Sequence, residues 1–300
     1  MARCFVTRAL PGGALDRLRG AHEVEVWPGD LPPTREELVA GARDAEGLLC
    51  LLTDAIDADV IAACPRLRAI SNYAVGSDNI DRAAAAERGI TVGVTPDVLT
   101  DTTAELTFAL MLAAARRLPE AVRDVRAGRW RTWEPGGWLG QDLHGARLCV
   151  VGMGRIGRAV ARRAEAFGMD VAGIGRGDSL HDALERADFV SIHCPLTDET
   201  RGLIGAAELS HMKPTAILVN TARGPIVDTK ELTKALIDGR LGAAALDVTD
   251  PEPLPADHLL LKLPNALVVP HIGSATHRTR ERMADLAVDN LLAALTRPGP

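Results

Sequence analysis

Four short stretches of this 300-residue chain carry side chains whose type and spacing could do chemistry. The first is Gly152-Met-Gly154-Arg-Ile-Gly157, which follows the apolar run Arg147-Leu-Cys-Val-Val151 and precedes a helical pattern. In a strand–turn–helix setting this glycine spacing lets the backbone approach a pyrophosphate and packs the helix on the strand. The free N–H groups of the helix then hold the anion. The other three stretches sit at the ends of later apolar runs. Thr221-Ala-Arg223-Gly224 follows 216–220, Asp247 and Asp250-Pro-Glu252-Pro253 follow 243–246, and Pro270-His271-Ile-Gly273-Ser274 follows 267–269. An arginine that anchors a carboxylate or carbonyl, a histidine that exchanges a proton, and a glutamate that orients and charges the histidine make an oxidoreductase set. Singly, each is more often a surface charge or a satisfied structural residue. At successive strand ends behind a dinucleotide loop, they point to catalysis. Glu252 lies between two prolines, which stiffens the loop presenting it.

The strand after the glycine loop, 171–174, ends in Gly175-Arg176-Gly177. A site that prefers NAD carries Asp or Glu about 20 residues past the glycines, where it accepts from the ribose 2′-hydroxyl. Position 175 offers no carboxylate, and Arg176 offers a guanidinium suited to a 2′-phosphate. Asp178 is the acid that could fold back towards the ribose. The pattern predicts NADP(H) as the preferred cofactor, with NAD(H) possible.

These loops need sheets to position them. Short apolar runs alternate with helical stretches along most of the chain, the signature of α/β architecture with parallel sheets. Strands are expected at 4–6, 23–26, 47–51, 69–70 and 90–94, then at 147–151, 171–174, 189–192, 216–220, 243–246 and 267–269. Thr34-Arg-Glu-Glu37 and Thr102-Thr-Ala-Glu105 have capping-box spacing. The second opens a helix over 102–117 that is apolar nearly all round, so it must be buried between domains or subunits. At 300 residues the chain accommodates two domains. A hydrophobic fraction of 47% excludes a disordered chain. A net charge of −6 with scattered basic residues argues against nucleic acid and anionic membranes as partners, and 3% aromatics argues against base-stacking platforms. Five cysteines without metal or CxxC spacing fit a reduced, cytoplasmic chain, and no metal site is expected. The N-terminus reads as a first strand, and the apolar run at 106–115 is about half of a membrane span.

With these motifs in order, the sequence resembles the D-2-hydroxyacid dehydrogenase family along essentially its whole length. The resemblance rests on Val151-Gly-Met-Gly-Arg-Ile-Gly157, Val219-Asn-Thr-Ala-Arg-Gly-Pro-Ile-Val-Asp228 and Pro270-His-Ile-Gly-Ser-Ala275. The stretches 246–255 and 271–280, with the Trp-bearing loop 128–135, look like its glyoxylate/hydroxypyruvate reductase branch. The resemblance implies two doubly wound parallel-sheet domains with the active site in the cleft. A discontinuous, smaller flavodoxin-like substrate domain would span 1–97 and 277–300, and a Rossmann-type cofactor domain 98–276. It implies Arg223 as the group that binds a 2-oxo acid, His271 as acid/base and Glu252 as its partner. Substrate contacts would come from the backbone amides of Val75 and Gly76, and from Arg223, His271, Ser274 and Trp138. Cofactor contacts would come from Thr103, Gly152, Gly154, Arg155, Ile156, Gly157, Gly175, Arg176, Cys194, Pro195, Thr221, Ala222, Asp247 and Gly273. Family members usually dimerise through the helix at 102–117, so a homodimer is expected. The segment 175–189 is shorter than the family's by about one helix–turn–strand element, which bears on the wall of the adenine pocket.

The reading is NADPH-dependent reduction of glyoxylate to glycolate, or of hydroxypyruvate to D-glycerate. His271 would donate to the developing alkoxide, Arg223 would assist at the carbonyl oxygen, and domain closure would exclude water. The alternatives are another 2-hydroxy acid, formate or phosphite on the same fold, or a corepressor-like protein that senses NAD(H).

Overall fold

The computed structural model describes residues 1–296. The chain forms two compact units, one of Met1–Leu99 with the segment from Ser274 onward, the other of Thr100–Gly273.

The first unit alternates strand and helix: β1 (Arg3–Val6), α1 (Ala14–Ala21), β2 (Glu23–Val26), α2 (Arg35–Ala42), β3 (Gly47–Cys50), α3 (Ala58–Ala63), β4 (Ala69–Asn72), α4 (Arg82–Glu87) and β5 (Thr91–Gly93). All neighbours pair in parallel, in the order β2-β1-β3-β4-β5, which is the flavodoxin arrangement. β3 and β4 are buried along their whole length, as strands covered on both faces must be, so their sequences are runs and not alternations. Phe5, Leu48 and Ile70 face one core, while Cys4, Leu49 and Ala69 face the other. The capping box at Thr34 forms. Its hydroxyl accepts from the Glu37 amide at 3.3 Å, and its own amide donates to Glu37 Oε2 at 2.8 Å.

The second unit contains α5 (Thr100–Ala115), α6 (Leu118–Arg126), β6 (Arg147–Val151), α7 (Arg155–Ala166), β7 (Asp170–Ile174), α8 (Leu180–Arg186), β8 (Phe189–Ile192), α9 (Ala206–His211), β9 (Ile217–Asn220), α10 (Thr229–Ile237), β10 (Ala243–Leu246) and β11 (Ala266–Val268). Its parallel sheet has the order β11-β10-β9-β8-β6-β7. The chain therefore runs outward from β6 to β7 and then back across β6 to β8, which makes a topological switch point at the carboxyl end of β6, where such sheets bind ligands. β7 is the edge of the sheet, and α8 alone carries the chain back across to β8.

One expectation needs correcting. α5 starts at Thr100, so Thr102 lies in its first turn and is not the cap. The turn that ends at Leu99, with Asp97 at φ 69°, already aims the chain into the helix. The helix ends at Ala115, whose carbonyl accepts from Gln141, and Arg117 follows in the left-handed region at φ 53°. Ala104, Phe108, Leu110, Met111 and Ala115 bury this apolar helix against α7 and the sheet.

The last helix, α11 (His277–Leu295), belongs to the first unit. Thr276 caps it by accepting from the Thr279 amide at 3.2 Å. Met283, Ala284, Ala287, Val288 and Leu291 recur at helical spacing and pack on β3, β4 and α1. Among the described residues no helix is long and apolar enough to cross a membrane, no cluster of His, Cys, Asp and Glu could hold a metal ion, and the five cysteines are unpaired.

Candidate functional site

The glycine loop sits at the switch point, and each of its three glycines has a separate reason. Gly152 has φ 99°, and an ideal Cβ on it would stand 2.4 Å from the Cys194 amide nitrogen, so the loops after β6 and β8 touch there. A Cβ on Gly157 would stand 2.0 Å from the Gly152 carbonyl oxygen, which fixes how closely α7 packs on the turn. Gly154 caps α7 and differs: nothing lies within 4 Å of its ideal Cβ. The loop is tight where the protein packs on itself and open at the helix N-terminus, where Arg155 and Ile156 supply the first-turn amides. That cradle fits a pyrophosphate, so the residues present fit a dinucleotide.

At the end of β7, Gly175, Arg176, Gly177 and Asp178 form an exposed turn with Gly177 at φ 93°. Asp178 does fold back, and its Oδ2 accepts from the Gly175 amide at 2.7 Å. Arg176 is exposed beside it. Past β8, Cys194 is half-buried and Pro195 exposed. Burial pushes the Cys194 thiol up, which keeps it protonated and unreactive. His193, one residue earlier, bonds Ser191 Oγ through Nε2 at 2.7 Å, and burial pushes its pKa down to about 3. It stays neutral at any working pH, so of the two strand-end histidines it is unfit to be the acid.

Glu252 and His271 meet directly: His271 Nδ1 lies 2.6 Å from Glu252 Oε1, with the side chains 24% and 36% exposed. Carboxylate contact at Nδ1 leaves Nε2 as the nitrogen that can exchange a proton with a ligand. His271 is held at φ 53°, a left-handed conformation uncommon outside glycine and asparagine. Its amide donates to the Asp247 carbonyl at 2.9 Å. The Asp247 carboxylate accepts from the next two amides, Ile272 at 2.6 Å and Gly273 at 2.8 Å. Asp247 is 1% exposed; burial pushes its carboxyl up while those two amides pull it back. Arg223 follows β9, and Gly224 lies so close to the loop after β10 that an ideal Cβ would be 1.9 Å from the Thr249 carbonyl oxygen. The loops carrying Arg223 and Glu252 are thereby pressed together.

α5 braces the same region. Thr103 Oγ1 donates to the Gly273 carbonyl at 3.2 Å, and Thr107 Oγ1 lies 3.0 Å from Thr221 Oγ1. The structure thus gathers Thr103, Thr221, Ala222, Arg223, Asp247, Glu252, His271 and Gly273 through direct contacts or neighbouring loop positions. In the first unit, Val75 and Gly76 lie in the turn after β4, which Asn72 closes by donating from Nδ2 to the Gly76 carbonyl at 2.9 Å. Among the described residues neither the Val75 nor the Gly76 amide has a hydrogen-bond acceptor. Ser274 is buried at the start of the returning segment. Trp138 lies in the loop after α6 at φ 54°, with the Arg117 guanidinium 5.3 Å from its ring centre.

Sequence reasoning missed Thr107 and Asn220. Thr107 left no signal within an apolar helix. Asn220 did: it is a buried polar residue closing a strand that is otherwise Ile-Leu-Val.

The profile of the family described as D-isomer specific 2-hydroxyacid dehydrogenase, NAD binding domain, matches residues 108–273. A glyoxylate reductase of Aeropyrum pernix is 50% identical over 308 aligned residues, 97% of this chain and 92% of that one. A crystal structure from Thermus thermophilus superposes with a TM-score of 0.93 at 52% identity, covering 98% of this chain and 97% of that one. An NADPH-dependent glyoxylate/hydroxypyruvate reductase of Sinorhizobium meliloti, solved with NADP and malonate, superposes with a TM-score of 0.86 at 34% identity over 98% and 94% of the two chains.

The glycine geometry separates packing from binding. Gly154→Ala is expected to melt near the wild type in a thermal scan and to lose dinucleotide affinity in a fluorescence titration. Gly152→Ala, with a Cβ driven into the Cys194 backbone, is expected to lose both. A Gly154→Ala protein that binds dinucleotide normally would remove the loop from the site.

Proposed function

The chain belongs to the D-isomer specific 2-hydroxyacid dehydrogenase family, and we propose that it reduces a small 2-oxo acid, glyoxylate or hydroxypyruvate, with NADPH. The observation that carries the proposal is the Glu252–His271 contact at 2.6 Å, built at the ends of adjacent strands in the unit that holds the glycine loop. The matched relatives named as glyoxylate reductases and the Sinorhizobium reductase supply the substrate class.

When bound, a nicotinamide dinucleotide would supply the hydride for the 2-oxo carbon. Gly152, Gly154, Arg155, Ile156 and Gly157 would hold its pyrophosphate, and Gly175, Arg176, Cys194, Pro195, Thr221 and Ala222 its adenosine side and its bridge. Thr103, Asp247 and Gly273 would flank the nicotinamide. The Arg223 guanidinium would bind the oxo acid at its carbonyl or carboxylate. The Val75 and Gly76 amides would take the carboxylate, and Ser274 and Trp138 would bound the substituent. His271 donates a proton from Nε2 to the oxygen as it becomes an alkoxide, while Glu252 at Nδ1 holds the ring in register. Arg176, exposed where β7 ends with Glu199 within its electrostatic reach, would take the 2′-phosphate, while the Asp178 carboxylate is engaged by the Gly175 amide. The unpaired cysteines suit a reducing, cytoplasmic setting. Leu118, Val122, Val125, Trp130, Trp133 and Leu139 stand exposed on α6 and the loop beyond it, a patch suited to a second copy of the chain.

Oxidation of NADPH and NADH followed at 340 nm, with glyoxylate, hydroxypyruvate, pyruvate and a bulkier 2-oxo acid, tests the reading. Fast turnover of the two small acids with NADPH is expected, and no turnover of any would overturn it. His271→Ala should lose on the order of 10²–10⁴-fold in kcat; near-normal turnover would remove His271 from the mechanism. Arg176→Ala should raise KM for NADPH and leave NADH nearly unchanged, whereas equal effects on both would mean that Arg176 does not meet the 2′-phosphate. Sedimentation should give twice the chain mass, and a monomer with all its activity would refute the dimer.

A further inference from the structure

We propose that Asn220 is a positioning residue that sets the direction of Arg223 and so governs binding of the 2-oxo acid; the inference rests on the reductase reading above. Asn220 is the last residue of β9 and is 1% exposed, in a strand whose other members, Ile217, Leu218 and Val219, are apolar. An amide side chain buried among such neighbours must find partners for both of its ends. Both partners lie in the turn that carries the arginine. Oδ1 accepts from the Ala222 amide at 3.0 Å, and Nδ2 donates to the Arg223 carbonyl at 2.9 Å. The carboxamide therefore brackets Ala222 and Arg223, fixing the backbone on either side of the point where the arginine side chain leaves it. Arg223 Nη1 then donates to the Ala222 carbonyl at 2.8 Å, so the guanidinium is referred back to the same clamped turn.

The next residue is fixed from the opposite side, since Gly224 sits against the Thr249 carbonyl. Arg223 is held between a side-chain clamp and a steric stop. The strand itself does not need this side chain. β9 is paired through its backbone to β8 and β10, and the Asp247 amide bonds the Asn220 main-chain carbonyl at 2.9 Å, a contact any residue at 220 would supply. What only an asparagine-like group provides is one acceptor and one donor at this reach. Aspartate keeps the acceptor and loses the donor, and alanine loses both.

The test compares wild type, Asn220→Ala and Asn220→Asp in glyoxylate kinetics, NADPH fluorescence titration and thermal melting. A misplaced binding group costs about 10²-fold in rate. Both variants are therefore expected to lose about 10²-fold in kcat/KM for glyoxylate, chiefly through a raised KM, with a much smaller loss of NADPH affinity through the Ala222 amide that Oδ1 also holds. The near-isosteric aspartate keeps the test valid if the alanine protein fails to fold. Near-wild-type kcat/KM in a folded variant overturns the inference. So does a loss of NADPH affinity as large as the loss in kcat/KM, which would mark a collapsed strand end and not a misdirected arginine. A wild-type protein that binds NADPH and turns over no 2-oxo acid overturns the underlying reading first, and with it the role given to Asn220.

Discussion

The site depends on a hydrogen-bonding pattern that outruns the sheet. In the second unit the parallel ladder continues one residue beyond the strands, so each loop leaves the sheet already tied to its neighbour. The Gly152 amide bonds the Ile174 carbonyl, the His193 amide bonds Val151, the Asp247 amide bonds Asn220, and the Val269 amide bonds Leu246. A parallel sheet is rigid because it is buried on both faces. Extending its bonding by one residue passes that rigidity to the first residues of the loops, where the chemistry-bearing groups sit. The buried side chains of Asn220 and Asp247 extend it again, each by taking amides from its own or the next loop.

Steric contact does the remaining work. Gly152 against Cys194, Gly157 against the Gly152 carbonyl and Gly224 against the Thr249 carbonyl are places where one backbone lies on another with no room for a Cβ. These contacts fix loop against loop across the sheet, where hydrogen bonds run along it. The threonines of α5 add a third support from outside the sheet, reaching Gly273 and Thr221. The left-handed backbone of His271 is tolerated because Asp247 holds the three amides of residues 271–273 with its main chain and carboxylate together.

Much of this was legible in the sequence, for identifiable reasons. Strands such as Gly47–Cys50 and Phe189–Ile192 are buried on both faces, and their unbroken apolar runs say so. The glycine fingerprint was readable because two of its glycines stand where no Cβ fits and the third leaves the helix N-terminus open. Glu252 and His271 could be named as partners because both follow neighbouring strands. Three things were not legible. The start of α5 depends on the turn before it, so the capping-box spacing at Thr102 misled. The Asp178 carboxylate's return to Gly175 is a matter of turn geometry, which residue order does not determine. The clamp at Asn220 rests on distances of about 3 Å between groups that sequence shows only as near neighbours.

The sheet of the second unit stops at β7, and that leaves a strand with one flank of backbone N–H and C=O groups that no neighbouring strand pairs. Such a flank is a template on which another molecule's strand can add, and folded proteins blunt it with short length, charge and interruption. β7 has all three: five residues, Asp170 at its start engaged by the Arg147 guanidinium at 2.7 Å, and a glycine at 173 with another at 175 just past its end. The exposed turn at 175–178 therefore also closes off the sheet against edge-to-edge stacking. Replacing Gly175 or lengthening this turn with β-branched residues would extend that flank and raise the protein's tendency to aggregate.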